Sequence, residues 1–576
     1  MRLVTVVTVL GVIATIFWFV ISAGRIAPVE RIPESSALAE AVADDVQQLD
    51  QWFSKRWEED GIRPAKQADD LEVLRRLSLA LHGSVPSLEE IRNFQRDKEP
   101  HRLERWVDEM LADERFADYF AERLARSLVG TDGGAFVVYR RDRLKAWLVE
   151  QLKNRLPWPE IVTQLIAADG LWTDRPQANF ITSAQIPDEG IDENKLAGRT
   201  VRAFLGQRMD CAQCHDHPFD PRWKQHDFEG IAAMFGQVTV NVGGVHDQPV
   251  RDGKPVEYRV VDPGDEGEDG RLIEPHVPFN EEWLPESGTR RQRLAAWVVH
   301  PANRRFERAT ANRVWGLMFG APLMDPVDDL PHPEALEEAD ALDLLGQTFR
   351  KYDGQLSALV RVIALSRVFQ LSSEDRAESE DEYYDMKQEW AVFPLVRLRP
   401  EQVVGSLFQV GSVRTVDQES HLFVRIGRAT SENDFLKEYG DLGDDELMQQ
   451  VGTIPQALLR MNGKFTREAI RTELLTSATQ LINYSPSDTA LIDNIYLTCL
   501  CRFPSTEERQ ELLEQLPLAD GRQRQKHDEG TAAEVHETTK TQSDPAMSES
   551  DPITRGQFVS DLYWSLLNSA EFSWNH

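Results

Sequence analysis

Apolar residues recur at three- and four-residue spacing through most of this chain, and that period commits it to amphipathic helices packed face to face. Leu38, Val42, Val46, Leu49 and Phe53 make one stripe within 37–57. Leu103, Val107, Met110 and Leu111, continuing through Phe116, Phe120 and Leu124, predict a single long helix over 101–128. Further helices are predicted over 69–81, 143–156, 158–168, 192–208, 227–235, 335–349, 356–371 and 557–572. Leu294, Trp297 and Val298 form another stripe from Thr289 onward, and Val314, Trp315, Met318 and Phe319 form one ended by Gly320. Local punctuation agrees: Gly83 stops a segment, and Ser87 followed by Glu89 and Glu90 has the form of an N-cap with early acids. The exception begins at Gln237, where Val238, Val240 and Val242 alternate with polar residues and Tyr258 to Val261 repeats the style, the signature of strands.

At 576 residues the chain is too long for one core. The patterns divide it into an anchor or signal segment (1–25), a linker with Pro28 and Pro33 (26–36), a helical part (37–236) and a β-rich insert (237–288). A second helical part (289–517), a polar insert nearly without aromatics and expected to be disordered (518–552), and a closing helix (553–576) follow. The expected fold is mainly α: a multi-helical two-domain protein with a small β-rich insert between the halves and an N-terminal transmembrane helix. Leu3 to Ala23 carries no charge and has the length of a bilayer-spanning helix, with a cleaved signal peptide as its competitor. Under either reading the bulk of the chain is exported, on the periplasmic side and anchored to the membrane if the segment stays.

Acidic residues number 96 against 64 basic, a net charge of −32, which repels phosphate backbones and argues against nucleic acid as a partner. The same charge suits either plain solubility or docking of a basic redox partner. Only four cysteines occur, so cysteine here is local chemistry and not a disulfide framework. Cys499 and Cys501 sit in an apolar helical stretch and read as packing.

Cys211-Ala-Gln-Cys214-His215 is the most specific chemical feature. C-x-x-C-H is the attachment motif of covalent haem c: two thiols add to the vinyl groups and the following histidine ligates the iron as proximal ligand. Export, which attachment needs, is supplied independently by the N-terminal segment. Two other readings stay open: a short disulfide, or zinc on the Cys–His cluster with His217 as an alternative zinc ligand. Met209, His226, Met234 and His246 are the candidates for a second axial ligand.

Phe204 to Asp220 (FLGQRMDCAQCHDHPFD) resembles the hallmark of the planctomycete cytochrome-type (PSCyt) domain of unknown function, and Arg75 to Glu90 (RRLSLALHGSVPSLEE) resembles its opening, with Ala80 in place of the family's acidic residue. The second half is similar to the companion PSD-type domain through Arg293–Trp297, Asn303–Phe306, Asn312–Trp315, Phe319–Gly320, Asp325–Asp329, Ser366–Ser372, Arg397–Gln402 and Asn568–Phe572. The resemblance implies export but brings no established reaction. Residues 26–68 hold no cysteine, so no separate cytochrome module is present there and the haem expectation rests on Cys211, Cys214 and His215. In the second half, Asn312, Arg313 and Trp315 with Asp325, Asp328 and Asp329 either line a polar pocket or bind a cation, or Arg313 pairs with an aspartate to hold a helix–loop corner. The expected function is electron transfer or haem redox chemistry. A membrane-tethered scaffold with zinc or a disulfide, and an enzyme acting on exported polymers, are the alternatives. The last would require a pocket uniting His217 and Asp220 with the polar residues of the second half.

Overall fold

The structure, a computed structural model, describes residues 42–131, 139–217, 220, 222–261, 270–336, 338–374, 377, 379–417, 439, 453–472, 476–517 and 553–576. The expected anchor, the linker and the polar insert at 518–552 lie outside the described residues. Among the described residues no helix is long and apolar enough to cross a membrane.

Helices dominate, as the apolar period requires. The first half contributes α1 (Ala43–Glu59), α2 (Asp70–His82), α3 (Leu88–Arg96), α4 (Arg102–Ala112), α5 (Glu114–Val129), α6 (Arg141–Lys153), α7 (Trp158–Ile166), α8 (Asn179–Thr182), α9 (Glu193–Leu205) and α10 (Gln225–Phe235). The second contributes α11 (Arg290–Val298), α12 (Arg304–Phe319), α13 (Ala341–Lys351), α14 (Leu356–Leu365), α15 (Glu380–Gln388), α16 (Pro400–Val410), α17 (Ile454–Asn462), α18 (Lys464–Ala469), α19 (Ser477–Tyr484), α20 (Asp488–Leu500), α21 (Thr506–Gln515), α22 (Arg555–Leu567) and α23 (Ala570–Ser573). Ser87 caps α3 in a full capping box with Glu90. The single helix expected over 101–128 is two, because the Asp113 side chain accepts the Arg115 N–H at 2.8 Å and starts α5 afresh.

Every described sheet is a two-stranded antiparallel ribbon. β1 (Gln185–Ile186) pairs with β2 (Gly190–Ile191), and the insert holds β3 (Val238–Asn241) with β4 (Gly244–Asp247), β5 (Val250–Arg251) with β6 (Lys254–Pro255), and β7 (Arg259–Val260) with β8 (Arg271–Leu272). Val238 faces Asp247 and Val240 faces Val245. Val242, the third member of the expected alternation, falls instead in the turn and is exposed. Gly244 (φ +114°) reverses the chain there, and a Cβ on it would lie 2.2 Å from the backbone of Gly170. β9 (Val396–Arg397) pairs with β10 (Trp574–Asn575), which ties the end of the chain to the second half.

One hydrophobic core runs through both halves, and residues 42–576 form a single compact unit. At its centre every residue of α12 from Arg305 to Phe319 is buried. Trp315 stacks on Phe319 (4.3 Å) and Phe53 (5.9 Å), joining α12 to α1. The charges that this helix takes inside are paired: Arg308 is bidentate to Asp340 at 2.6 and 2.8 Å, as a buried cation must be to persist.

His82, at the end of α2, is fully enclosed, with Nε2 3.1 Å from the Met110 carbonyl. Burial, then the Arg115 charge, lowers its pKa to about 4. The imidazole is thus neutral in the fold but titrates near 6.5 when unfolded, so the stability it contributes is complete above about pH 6.5 and is lost as pH falls toward 4. Denaturant midpoints should fall between pH 7 and pH 5, by up to about 1.4 kcal/mol per unit for each such group. His82→Gln should flatten that slope. His576, lowered to about 4 by burial, accounts for a residual slope.

Candidate functional site

The C-x-x-C-H segment begins where α9 stops. Gly206 ends that helix in the left-handed region (φ +60°), and a Cβ there would come within 3.0 Å of Leu330 and 3.1 Å of Ala309, so the helix end lies directly on the second half. Asp210–Gln213 then form a 3₁₀ turn. Cys211 lies within this turn and Cys214 caps its end, its N–H meeting the Cys211 carbonyl at 3.5 Å. Met209 and Ala212 point inward and are buried, whereas Cys211, Cys214 and His215 are exposed. Both cysteines are free thiols. His215 Nδ1 lies 2.7 Å from the Asp216 carbonyl; donating there leaves Nε2 as the lone pair available to a metal.

His217 turns the other way. Its N–H donates to the Trp223 carbonyl (2.9 Å) and its Nδ1 accepts the Asp220 N–H (3.0 Å). No three of Cys211, Cys214, His215 and His217 bring ligand atoms within 4.8 Å of one another; among the described residues the trio that does so is His226, Asp227 and His276. The axial-ligand candidates are scattered. Met209 and Met234 are core side chains, His246 Nδ1 is 3.2 Å from Asp169, and His226 belongs to the trio just named.

The loop is held by bonds to the second half that no spacing announced. Asp328, buried, takes Arg208 at 2.6 Å and Arg202 at 3.5 Å, and Arg202 also reaches Asp210 at 2.6 Å. Gln207 donates to the Leu330 carbonyl (2.7 Å) and accepts the Trp223 indole N–H (3.1 Å). Asp220 accepts from Arg222 and from His332 Nε2 at 2.8 Å. Arg305 donates to His332 Nδ1 at 2.8 Å and binds Glu334 through both ends. Because arginine can only donate, Nδ1 of His332 is unprotonated and Nε2–H points at Asp220. Burial, then the Arg305 and Arg222 charges, lower the His332 pKa. Burial would raise the Asp220 carboxyl, but Arg222 outweighs it and holds it at about 2. Together these bonds clamp the loop to the second half.

The polar set of the second half divides between the two roles expected of it. Asn312 is structural: it donates to the Met324 carbonyl (2.8 Å) and accepts the Met324 N–H (2.9 Å). Arg313 is buried within α12. Asp325 and Asp329 are exposed and line a cavity of about 350 Å³ together with Gln207, Asp220, Arg222 and His332.

Comparison with protein families decides what these two interlocked halves are. Residues 48–240 match PSCyt2, a protein of unknown function (DUF1549), and residues 290–516 match PSD1, a protein of unknown function (DUF1553). The chain carries both domains, in that order. The Cys–His loop lies in the PSCyt2 part and its clamp, Asp328 to Glu334, in the PSD1 part. No curated protein and no solved structure matches the chain.

Asp328→Ala should strip the PSCyt2 loop of two cationic anchors. The expected cost is about 1–3 kcal/mol, read as a lower urea midpoint with an unchanged slope. Asp329→Ala, one residue on and exposed, should leave the midpoint within about 0.5 kcal/mol.

Proposed function

We propose that this chain is an exported haem protein, with Cys211 and Cys214 as the thioether residues of a covalent haem c and His215 as its proximal ligand. The observation that carries the reading is the turn itself. Two unpaired thiols and an imidazole with its Nδ1 engaged by a carbonyl stand exposed on one short segment whose inner side is locked into the core. That donor set fits the group. The haem would supply one-electron redox chemistry, and the protein would hold the proximal imidazole in one orientation through Asp216. Asp216 is itself fixed, since its carboxylate accepts the Gln225 N–H at 3.0 Å and meets Lys224 at 3.1 Å.

Zinc fits this segment less well. A zinc ion draws its ligands to about 2.0–2.3 Å and so requires them to converge, whereas His217 is directed toward Asp220. Attachment to the edge of a porphyrin makes no such demand. The uncharged N-terminal stretch supports a membrane anchor with the bulk on the periplasmic side, and the acidic balance supports docking of a basic redox partner.

A second reading, an enzyme acting on exported polymers, draws on the cavity that unites Asp220 with Asp325 and Asp329, although His217 does not line it. Loss of hydrolysis in Asp325→Asn or Asp329→Asn, on any polymer the wild-type chain cleaves, would select it.

Expressed in a host with c-type maturation machinery, the chain should stain for haem on a denaturing gel and give the pyridine haemochrome spectrum of haem c. The Cys211→Ala/Cys214→Ala double variant should lose the stain completely. A folded, matured chain without haem that holds a zinc lost in the Cys211→Ala/Cys214→Ala variant would select the scaffold reading instead.

A further inference from the structure

Away from the C-x-x-C-H turn, three side chains converge where the first turn of α10 meets the strand-like segment after β8. His226 and Asp227 come from the helix and His276 from the segment, and one ligand atom of each lies within 4.8 Å of the other two. Fifty residues of sequence separate the two histidines, so no motif announces the group. From this geometry we infer a binding site for a divalent transition cation on His226, Asp227 and His276.

The imidazole of His276 is built for that role. Its Nδ1 is 3.1 Å from the Glu274 carbonyl, to which it donates, so Nε2 carries the lone pair. That Nε2 is buried and has no hydrogen-bond partner. An unsatisfied buried acceptor is unfavourable, and a metal ion would satisfy it. The ring is held where it is by the helix beneath. A Cβ on Gly230 would lie 2.4 Å from Nδ1 and Cε1, so only glycine lets the ring lie flat on α10. Arg271, bidentate to Glu229 at 3.0 and 2.7 Å, and the buried Ile273 and Val277 pin the same segment to α10.

The other two ligands are held as well. Asp227 is buried; one carboxylate oxygen accepts the Lys224 N–H at 2.9 Å in the helix cap, and the other lies 3.2 Å from His226 Nε2. The His226 ring stacks against His276 with centroids 5.5 Å apart. His226 is exposed, so a bound ion would keep a face open to water. Two imidazoles and one carboxylate suit zinc, cobalt or iron(II), not magnesium or calcium, which prefer oxygen.

Titration calorimetry on the full chain with Cys211 and Cys214 replaced by alanine, so that the thiols contribute nothing, tests this. One equivalent of zinc(II) should bind, magnesium(II) should not compete, and cobalt(II) should give visible absorption bands that zinc bleaches. His276→Gln and His226→Gln should each weaken zinc at least tenfold, as should Gly230→Ala, which touches no ligand. His246→Gln, at a histidine paired with Asp169 elsewhere, should change nothing. His226 is on the surface, so its variant is expected to fold even where Gly230→Ala does not. A folded chain that takes up no zinc, or equal affinity in wild type and His226→Gln, would overturn the site.

Discussion

Two arginines of α2 set the terms for the rest of this structure. Arg75 and Arg76 are fully buried, and each brings five N–H donors into a medium where an unpaired one is costly. Their acceptors lie mostly far along the chain, and Arg76 also pairs with Glu72 of the same helix. Arg75 reaches Phe572 at 3.2 Å, and Arg76 reaches Leu371 at 2.6 Å and His576 at 2.7 Å. Burial pushes the Arg76 guanidinium down to about 10, which still leaves it charged at neutral pH. An α2 packed without the C-terminal residues would lose the Phe572 and His576 carbonyls, leaving Arg76 with Glu72 and Leu371 and Arg75 short of acceptors. Glu401 of α16 repeats the arrangement, accepting Arg126 at 2.7 Å and Arg123 at 3.2 Å from α5. The PSCyt2 and PSD1 parts are consequently one folding unit.

That interdependence explains how an exposed loop can be held in one shape. The described residues between Gly206 and Trp223 have little regular structure of their own, and bonds to Asp328, Leu330 and His332 across the boundary hold them. The thiols and His215 face solvent, while the residues between and behind them are tied down. A site that must accept a large planar group benefits from this division: its ligands are open and their backbone is not free to follow them.

Much of the fold was legible because periodicity reports which face of a segment is buried. The stripe of α1, the stop of α12 at Gly320, the capping box at Ser87, the inward Cys499 and Cys501 and the strand character of Val238 and Val240 all follow from local pattern. Local pattern does not name partners. The Asp220–His332 contact spans 112 residues, and the His226–His276 stack joins elements whose meeting depends on Gly230, a residue that reads as a mere helix weakness in sequence. Where two local signals competed the weaker-looking one prevailed: the apolar stripe through 101–128 was overridden by a single cap at Asp113. At the candidate site the sequence supplied the chemistry of Cys211, Cys214 and His215, and the structure supplied their exposure and their anchorage.

The central claim is that this turn carries covalent haem, and the peptide containing Cys211 to His215 reports on it directly. Mass spectrometry of that peptide, from chain matured in an exporting host and alkylated before digestion, should show an increment of one haem and no alkylation at either cysteine. Quantitative alkylation of both Cys211 and Cys214 in folded, exported protein, with no haem adduct, would contradict it.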